Sequence, residues 1–374
     1  MKNTRIIHIC NDYSKQALYK ALFSSLSRKN VNQEVYVPVR SEKEIGKYHD
    51  PNFNVIQSHI LKPIDRIMFR CKITKIQNDF LKNIKNFSSN DIIHAHFLYS
   101  DGAVALNLKR IFNTKYIVAV RNTDLNYFLK FRPDLYFLMI SILKEAEKVI
   151  FLNHGYMNRL INILSDKNRM LLSSKSLVIP NGIDDDWLDN NFETKKNFSN
   201  KLRLLYVGDF TKNKNVPMLV QAYTKLQNMG IDASLTIAGG GGDAHNEVIK
   251  ILDNKSDSIK YLGRINRDEL KNLYGCSDIL IVPSRHETFG MVFIEALSQG
   301  CKVIFKEGEA ITGLIDDTSI AHGLKKISVT EIVQSIIRLS KNEKSSRAKC
   351  INAAKEFSLS KLSKKYIELY EEIF

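Results

Sequence analysis

Short, wholly apolar runs alternate along this chain with longer segments in which apolar positions recur every three or four residues. Residues 5–10 (RIIHIC), 34–39, 91–96 (DIIHAH), 115–120 and 148–153 (KVIFLN) read as strands covered on both faces. Residues 14–27 carry a helical stripe between the first two. In the second half, residues 202–208 (LRLLYVG), 234–238, 259–263 (IKYLG), 279–282 and 303–305 repeat the strand pattern, with helices predicted over 216–227, 266–274 and 291–299. Residues 306–323 read as irregular, with Gly308 and Gly313 in loops. The last segment places Phe357, Leu359, Leu362, Tyr366, Leu369, Tyr370 and Ile373 on one helical stripe. Strands alternating with helices predict parallel sheets of the α/β class. The longest apolar stretch, 136–143, falls well short of the ~20 residues that a membrane-spanning helix needs.

One segment is basic as well as amphipathic. Across residues 63–85, Ile64, Ile67, Met68 and Cys71 are followed by Ile76, Phe80 and Ile84, while Arg66, Arg70, Lys72, Lys75, Lys82 and Lys85 fill the other faces. Such a helix either lies on an anionic membrane or packs on its own domain with a solvated basic face.

The densest chemistry lies in residues 277–304, SDILIVPSRHETFGMVFIEALSQGCKVI. A strand, a polar loop, a helix opened by Gly290 and closed by Gly300, and a further strand make one βαβ unit. Loops beyond the carboxyl ends of such strands are where open α/β sheets bind ligands. The helix start offers unpaired N–H groups and a positive dipole end, which suit a phosphate. Glu287 before it and Glu295 within it can accept hydrogen bonds from sugar hydroxyls.

The phrase HETFGMVFIEALSQG resembles the Glu-x7-Glu signature of the retaining glycosyltransferases of family 4, which have the GT-B fold: two Rossmann-like domains with parallel sheets facing a cleft, and a C-terminal helix returning to the first domain. The resemblance implies that Glu287 contacts the donor sugar, that the helix start at Gly290 and Met291 holds the diphosphate, and that Glu295 binds the nucleotide ribose. Thr288, Phe289 and Val292, in the same run, join the candidate donor-binding residues. Residues 178–184 (VIPNGID) resemble the family's interdomain crossing.

Other matches are partial. Gly208 and the following DFTKNKN form a candidate diphosphate cradle. Lys214 matches the family's lysine near the helix start, but Asp209 stands where an arginine is usual, with Lys212 or Arg285 as candidate substitutes. Gly239 and Gly241 resemble the strand-end Gly-x-Gly that borders the nucleotide, and Arg264 is placed near the base pocket by the same resemblance. Family members often have His followed by Gly-x-Asp after the strand at 115–120; here Arg121 replaces the His, and Asp124 is the better-matched residue. Residues 11–14 lack the glycine common after the first strand. His94 and His96 share a strand face, but the sequence shows no third ligand beside them, and a packing or hydrogen-bonding role is preferred. The run Asp184–Asp186 reads as a solvated turn, so no metal site is assigned.

With 374 residues the chain suits two domains, expected at 1–183 (with the helix 358–374 packing on it) for the acceptor and 184–357 for the nucleotide sugar. An excess of 55 Lys and Arg over 40 Asp and Glu, net +15, calls for an anionic partner. An anionic membrane surface and phosphorylated substrates fit; nucleic acid does not, since zinc-ligand spacing and aromatic RNA motifs are missing. Five cysteines without paired spacing fit a reducing cytosol, with Cys276 and Cys301 read as small core residues. Residues 1–12 show no secretory pattern, and the expected location is cytoplasmic or peripheral on the inner membrane face.

The function that the resemblance implies is retaining, metal-independent transfer of a sugar from a nucleotide-diphosphate sugar (UDP-sugar favoured, GDP-mannose also considered) to a glycan or lipid-linked oligosaccharide of a bacterial surface polysaccharide. No cofactor is expected beyond that co-substrate. Glu287, Lys214, Arg121 and Asp124 are the candidate catalytic residues. The alternatives are a nucleotide-sugar epimerase or phosphorylase on the same fold, and a non-catalytic nucleotide-sugar-binding protein, the latter suggested by Asp209 and Arg121.

Overall fold

The apolar runs form two parallel sheets. The computed structural model describes residues 4–189, 201–255, 258–341 and 346–374. Its first unit comprises Met1–Leu152, Tyr156–Gly182 and Leu359–Phe374. The second comprises Asn153–Gly155 and Ile183–Ser358.

In the first unit, β1 (Ile6–Ile9), β2 (Gln33–Val39), β3 (Asn54–His59), β4 (Ile92–Ala95), β5 (Lys115–Val120), β6 (Lys148–Phe151) and β7 (Ser176–Val178) form one sheet in the order β3-β2-β1-β4-β5-β6-β7. Every pairing is parallel. Alternation along β1 assigns its residues to two cores: Ile6 joins the cluster under helices Ala17–Ser27 and Leu359–Ile373, while Ile7 and Ile9 join the cluster on the other face. The returning C-terminal helix is as expected, and its stripe residues Leu359, Leu362, Tyr366, Leu369, Tyr370 and Ile373 are all buried. Ser363 Oγ lies 3.1 Å from Ser25 Oγ, pinning that helix to Ala17–Ser27.

The second unit holds β8 (Leu202–Gly208), β9 (Ala233–Gly239), β10 (Ile259–Tyr261), β11 (Ile279–Ile281), β12 (Lys302–Lys306) and β13 (Ala321–Leu324), ordered β10-β9-β8-β11-β12-β13 and again parallel. The strand order reverses at β1/β4 in one sheet and at β8/β11 in the other, the places where such sheets bind ligands.

Three expectations need correction. The basic segment 63–85 is not one helix: a short turn, Pro63–Arg66, precedes the helix Phe69–Asn83. Ile76, Phe80 and Ile84 of its stripe are core, as is Ile73, so the helix packs on its own domain, while Ile64, Ile67 and Met68 before it and Cys71 within it are exposed. The region 306–323 does end in a strand, β13, whose half-buried AHGL carries too little apolar signal to be read. Cys301 is buried as expected, but Cys276 is exposed just after the helix Arg267–Gly275.

Candidate active site

At the second sheet's reversal point, the loops after β8 and β11 approach each other. Asn213 joins them: its side-chain amide donates to the His286 carbonyl (2.8 Å), and the His286 backbone N–H donates to its Oδ1 (3.0 Å). The Arg285 N–H also donates to the Asn213 carbonyl at 2.9 Å. This stitching brings Lys214 to Glu287, with Nζ 2.5 Å from Oε2. Residues 73 apart in sequence thus form one charged pair, both side chains largely screened from solvent.

Glu309 holds the same loop from below. One of its carboxylate oxygens accepts the Glu287 N–H (2.9 Å) and the other lies 3.1 Å from His286 Nδ1. The neighbouring Ala310 N–H donates to the Glu287 carbonyl at 3.0 Å. Ala310 is fully buried with φ +52, a left-handed conformation that a non-glycine residue keeps only when its surroundings fix it. Glu309, Asn213 and His286 were not singled out from sequence. Their roles depend on loops that meet only in the fold.

Gly290, at φ +71, is the N-cap of the helix Met291–Ser298. A Cβ there would come within 2.5 Å of the Phe293 ring, so the tight entry to this helix requires glycine. Met291 and Val292 lie in the first turn, whose N–H groups have no acceptor one turn earlier. Thr288 is half-buried beside them, whereas Phe289 is buried and packs on Phe357 with ring centroids 6.0 Å apart. Glu295, one turn further, sits largely inside the unit. Burial raises its pKa to about 7; the Tyr274 hydroxyl, 3.3 Å away, and the Arg267 charge offset only part of that cost.

Around β8 and β9 the glycines allow close backbone approach. Gly208 and Gly239 are paired in register, and a Cβ on Gly239 would fall 1.9 Å from the Gly208 carbonyl oxygen. Gly241 accepts the Phe210 N–H and donates to His245 Nδ1. Asp209 pairs with Arg264 at 3.4 Å on an exposed edge, and Arg264 also donates to the Gly240 carbonyl. Lys212 and Arg285 are exposed, and the Lys212 N–H is held by Asp243. The second unit thus gathers Glu287, Lys214, Gly290 and Met291 at one helix tip, with Asp209 and Arg264 on the β8/β9 side.

Arg121 and Asp124 belong to the first unit. Asp124 accepts the N–H groups of Leu98, Tyr99 and Arg121, tying the ends of β4 and β5 together; burial raises its pKa to about 6 against those three bonds. Arg121 is buried, donating from Nε to the His96 carbonyl (3.2 Å) and from a terminal nitrogen to Asn181 Oδ1 (3.3 Å).

The third imidazole missing from the sequence reading is His8. Register sets it opposite His94, and one ring nitrogen from each of His8, His94 and His96 lies within 4.8 Å of the others. Burial lowers the pKa of all three. The nearby Arg121 charge lowers those of His94 and His96 further, and it acts in the same direction on any cation placed among the rings.

Two parallel sheets of this topology define a doubly wound type of α/β protein, with its ligand positions beyond the carboxyl ends of the strands. Residues 189–357 match the family of glycosyl transferases group 1, and the two parallel sheets have the GT-B fold. It is 25% identical over 358 residues to the O-antigen biosynthesis glycosyltransferase WclY of Escherichia coli, covering 89% of this chain and 92% of that one. Its fold is similar to that of sucrose-phosphate synthase from Thermosynechococcus elongatus (TM-score 0.76, 18% identity, 100% and 99% of the two chains). It is also similar to Anabaena Alr3699/HepE, solved in complex with UDP and glucose (TM-score 0.69, 13% identity, 98% and 99%).

Proposed function

We propose that the protein transfers a sugar, with retention at the anomeric carbon and without a metal, from a nucleotide-diphosphate sugar to a glycan or lipid-linked acceptor of a bacterial surface polysaccharide. The observation that carries this reading is the 2.5 Å Lys214–Glu287 pair beside the Gly290-led helix. As the sugar–phosphate bond breaks, negative charge builds on the leaving diphosphate, and Lys214 with the first-turn N–H groups is suited to stabilise it. Glu287 accepts hydroxyl hydrogens from the sugar once the incoming diphosphate draws Lys214 to itself. The departing phosphate oxygen itself takes the acceptor's proton, so no enzymic base is required. Glu295 receives the ribose hydroxyls. Asp209 lies at the diphosphate side with its charge answered by Arg264 rather than opposing the ligand alone. UDP is favoured as the nucleotide by the likeness to the UDP-bound HepE fold, and the surface-polysaccharide acceptor by the O-antigen relative.

No helix among the described residues is long and apolar enough to cross a membrane. A peripheral position on the inner membrane face is supported by the net charge of +15 and by exposed Ile64, Ile67 and Met68 beside Arg66 and Arg70. Vesicle flotation with and without anionic lipid tests that part; no flotation in either removes it. For the chemistry, nucleotide release is measured over a panel of UDP- and GDP-sugars, and the product's anomeric configuration is read by NMR. Release of one nucleotide with retained configuration is expected. Tight binding with no turnover of any donor would favour a binding protein instead.

A further inference from the structure

The first unit contains a cavity of about 410 Å³ at the carboxyl ends of β1, β2, β4 and β5. Four cations line it: Lys15, which is paired with Asp12, and three others, Arg40 from the end of β2, Arg66 from the turn Pro63–Arg66, and Lys72 from the helix Phe69–Asn83. Among the described residues none of Arg40, Arg66 and Lys72 has a carboxylate within ion-pair distance. Arg40 donates to the Lys62 carbonyl and Lys72 to the Ser100 hydroxyl at 2.6 Å, both neutral acceptors.

The carboxylates in the same wall are mostly engaged elsewhere. Asp12 pairs with Lys15 at 2.7 Å, Asp65 accepts the Lys62 N–H and pairs with Lys75, and Asp124 accepts three backbone N–H groups. Glu44 is the remaining acidic group in the lining. Burial lowers the pKa of Lys72 to about 8, with the Arg40 charge adding to that and Asp101 opposing it; Arg40 is lowered by burial and then by Arg66. Like charges so placed repel one another until an anion enters. Phe69, Phe97 and Phe128 line the same space and give it an apolar wall beside the charges.

We infer that this cavity binds a phosphate group carried on a sugar or a lipid, held by Arg40, Arg66 and Lys72 against the aromatic wall. The inference rests on the glycosyl transfer proposed above, whose acceptor it assigns to the phosphate-bearing class. Arginine is suited to this task because its planar fork meets two phosphate oxygens at once.

Calorimetric titration of the full chain tests the assignment, with glucose 6-phosphate and farnesyl phosphate as probes and glucose as the neutral control. Either phosphate is expected to bind more tightly than glucose, and whichever binds better names the carrier. Arg66→Gln, at an exposed position that the fold does not depend on, is expected to weaken that binding by about tenfold or more. Lys214→Met, in the other unit, is expected to leave it unchanged. Neither phosphate exceeding glucose, or an Arg66→Gln variant that binds as the wild type does, would overturn the inference. Titration of nucleotide sugar into the same preparation separates the two readings: donor binding without phosphate-probe binding sinks this inference alone, and binding of neither sinks both.

Discussion

Glu295 makes the stability of the second unit depend on pH. Its carboxyl is held at about 7 rather than the ordinary 4.5 because it is buried, with a single 3.3 Å hydroxyl partner and Asp184 adding repulsion. A proton therefore binds the folded state more tightly than the unfolded one, so Glu295 costs no stability below about pH 4.5. The cost develops as pH rises to about 7, where it reaches about 3 kcal/mol. Glu295→Gln should then leave stability unchanged at pH 4 and raise it by up to about 3 kcal/mol at pH 8, read by urea unfolding of the second unit. Donor binding should move the other way. In the proposed role of Glu295, ribose hydroxyls donate to the ionised carboxylate, and at pH 5.5 only about 3% of a group titrating near 7 is ionised. Affinity for a nucleotide-diphosphate sugar, whose phosphates stay charged throughout, should fall roughly 30-fold between pH 8 and 5.5, and the profile should flatten in the variant. A flat wild-type profile, or a variant less stable than wild type at pH 8, would refute the reasoning.

Further outcomes follow from the same structure. Gly290→Ala imposes a left-handed alanine costing about 1–2 kcal/mol and drives its Cβ to 2.5 Å from Phe293, so donor affinity should drop with a lowered unfolding midpoint; unchanged values for both would contradict the strained-tip description. His8, His94 and His96 stay neutral in the fold, His8 down to about pH 3, whereas the unfolded chain takes up protons below about 6.5. Stability of the first unit should therefore fall as pH drops through that window, by up to about 1.4 kcal/mol per ring per pH unit; the raised carboxyls of Asp101 and Asp124 offset part of it. Amide exchange of β1 and β4 between pH 7 and 5 measures this, and equal opening energies at both would count against it.

The parts of the fold that could be read from sequence are those with dense local signals. The all-apolar β11 and the stripe from Leu359 to Ile373 announce burial on two faces and on one face respectively. The edge strands β3 and β13, with polar or glycine-containing runs NVIQSH and AHGL, lack that density. Lys72 reads in sequence as part of a solvated basic face, but it is buried and bonds to Ser100, 28 residues away. Glu287, Gly290 and Glu295 were visible because they fall within one short phrase. Glu309, which fixes the Glu287 N–H, and His8, which completes the imidazole trio, are joined to their partners only by tertiary register.

The most direct test of the account is the rate of nucleotide release at saturating donor for Lys214→Met and Glu287→Gln. With circular dichroism and unfolding midpoint close to wild type, each variant is predicted to lose about 10²–10³ in rate, the scale on which a single charge-stabilising group acts in a buried site. Wild-type rates from both variants would contradict the claim that this pair beside the helix tip performs the chemistry.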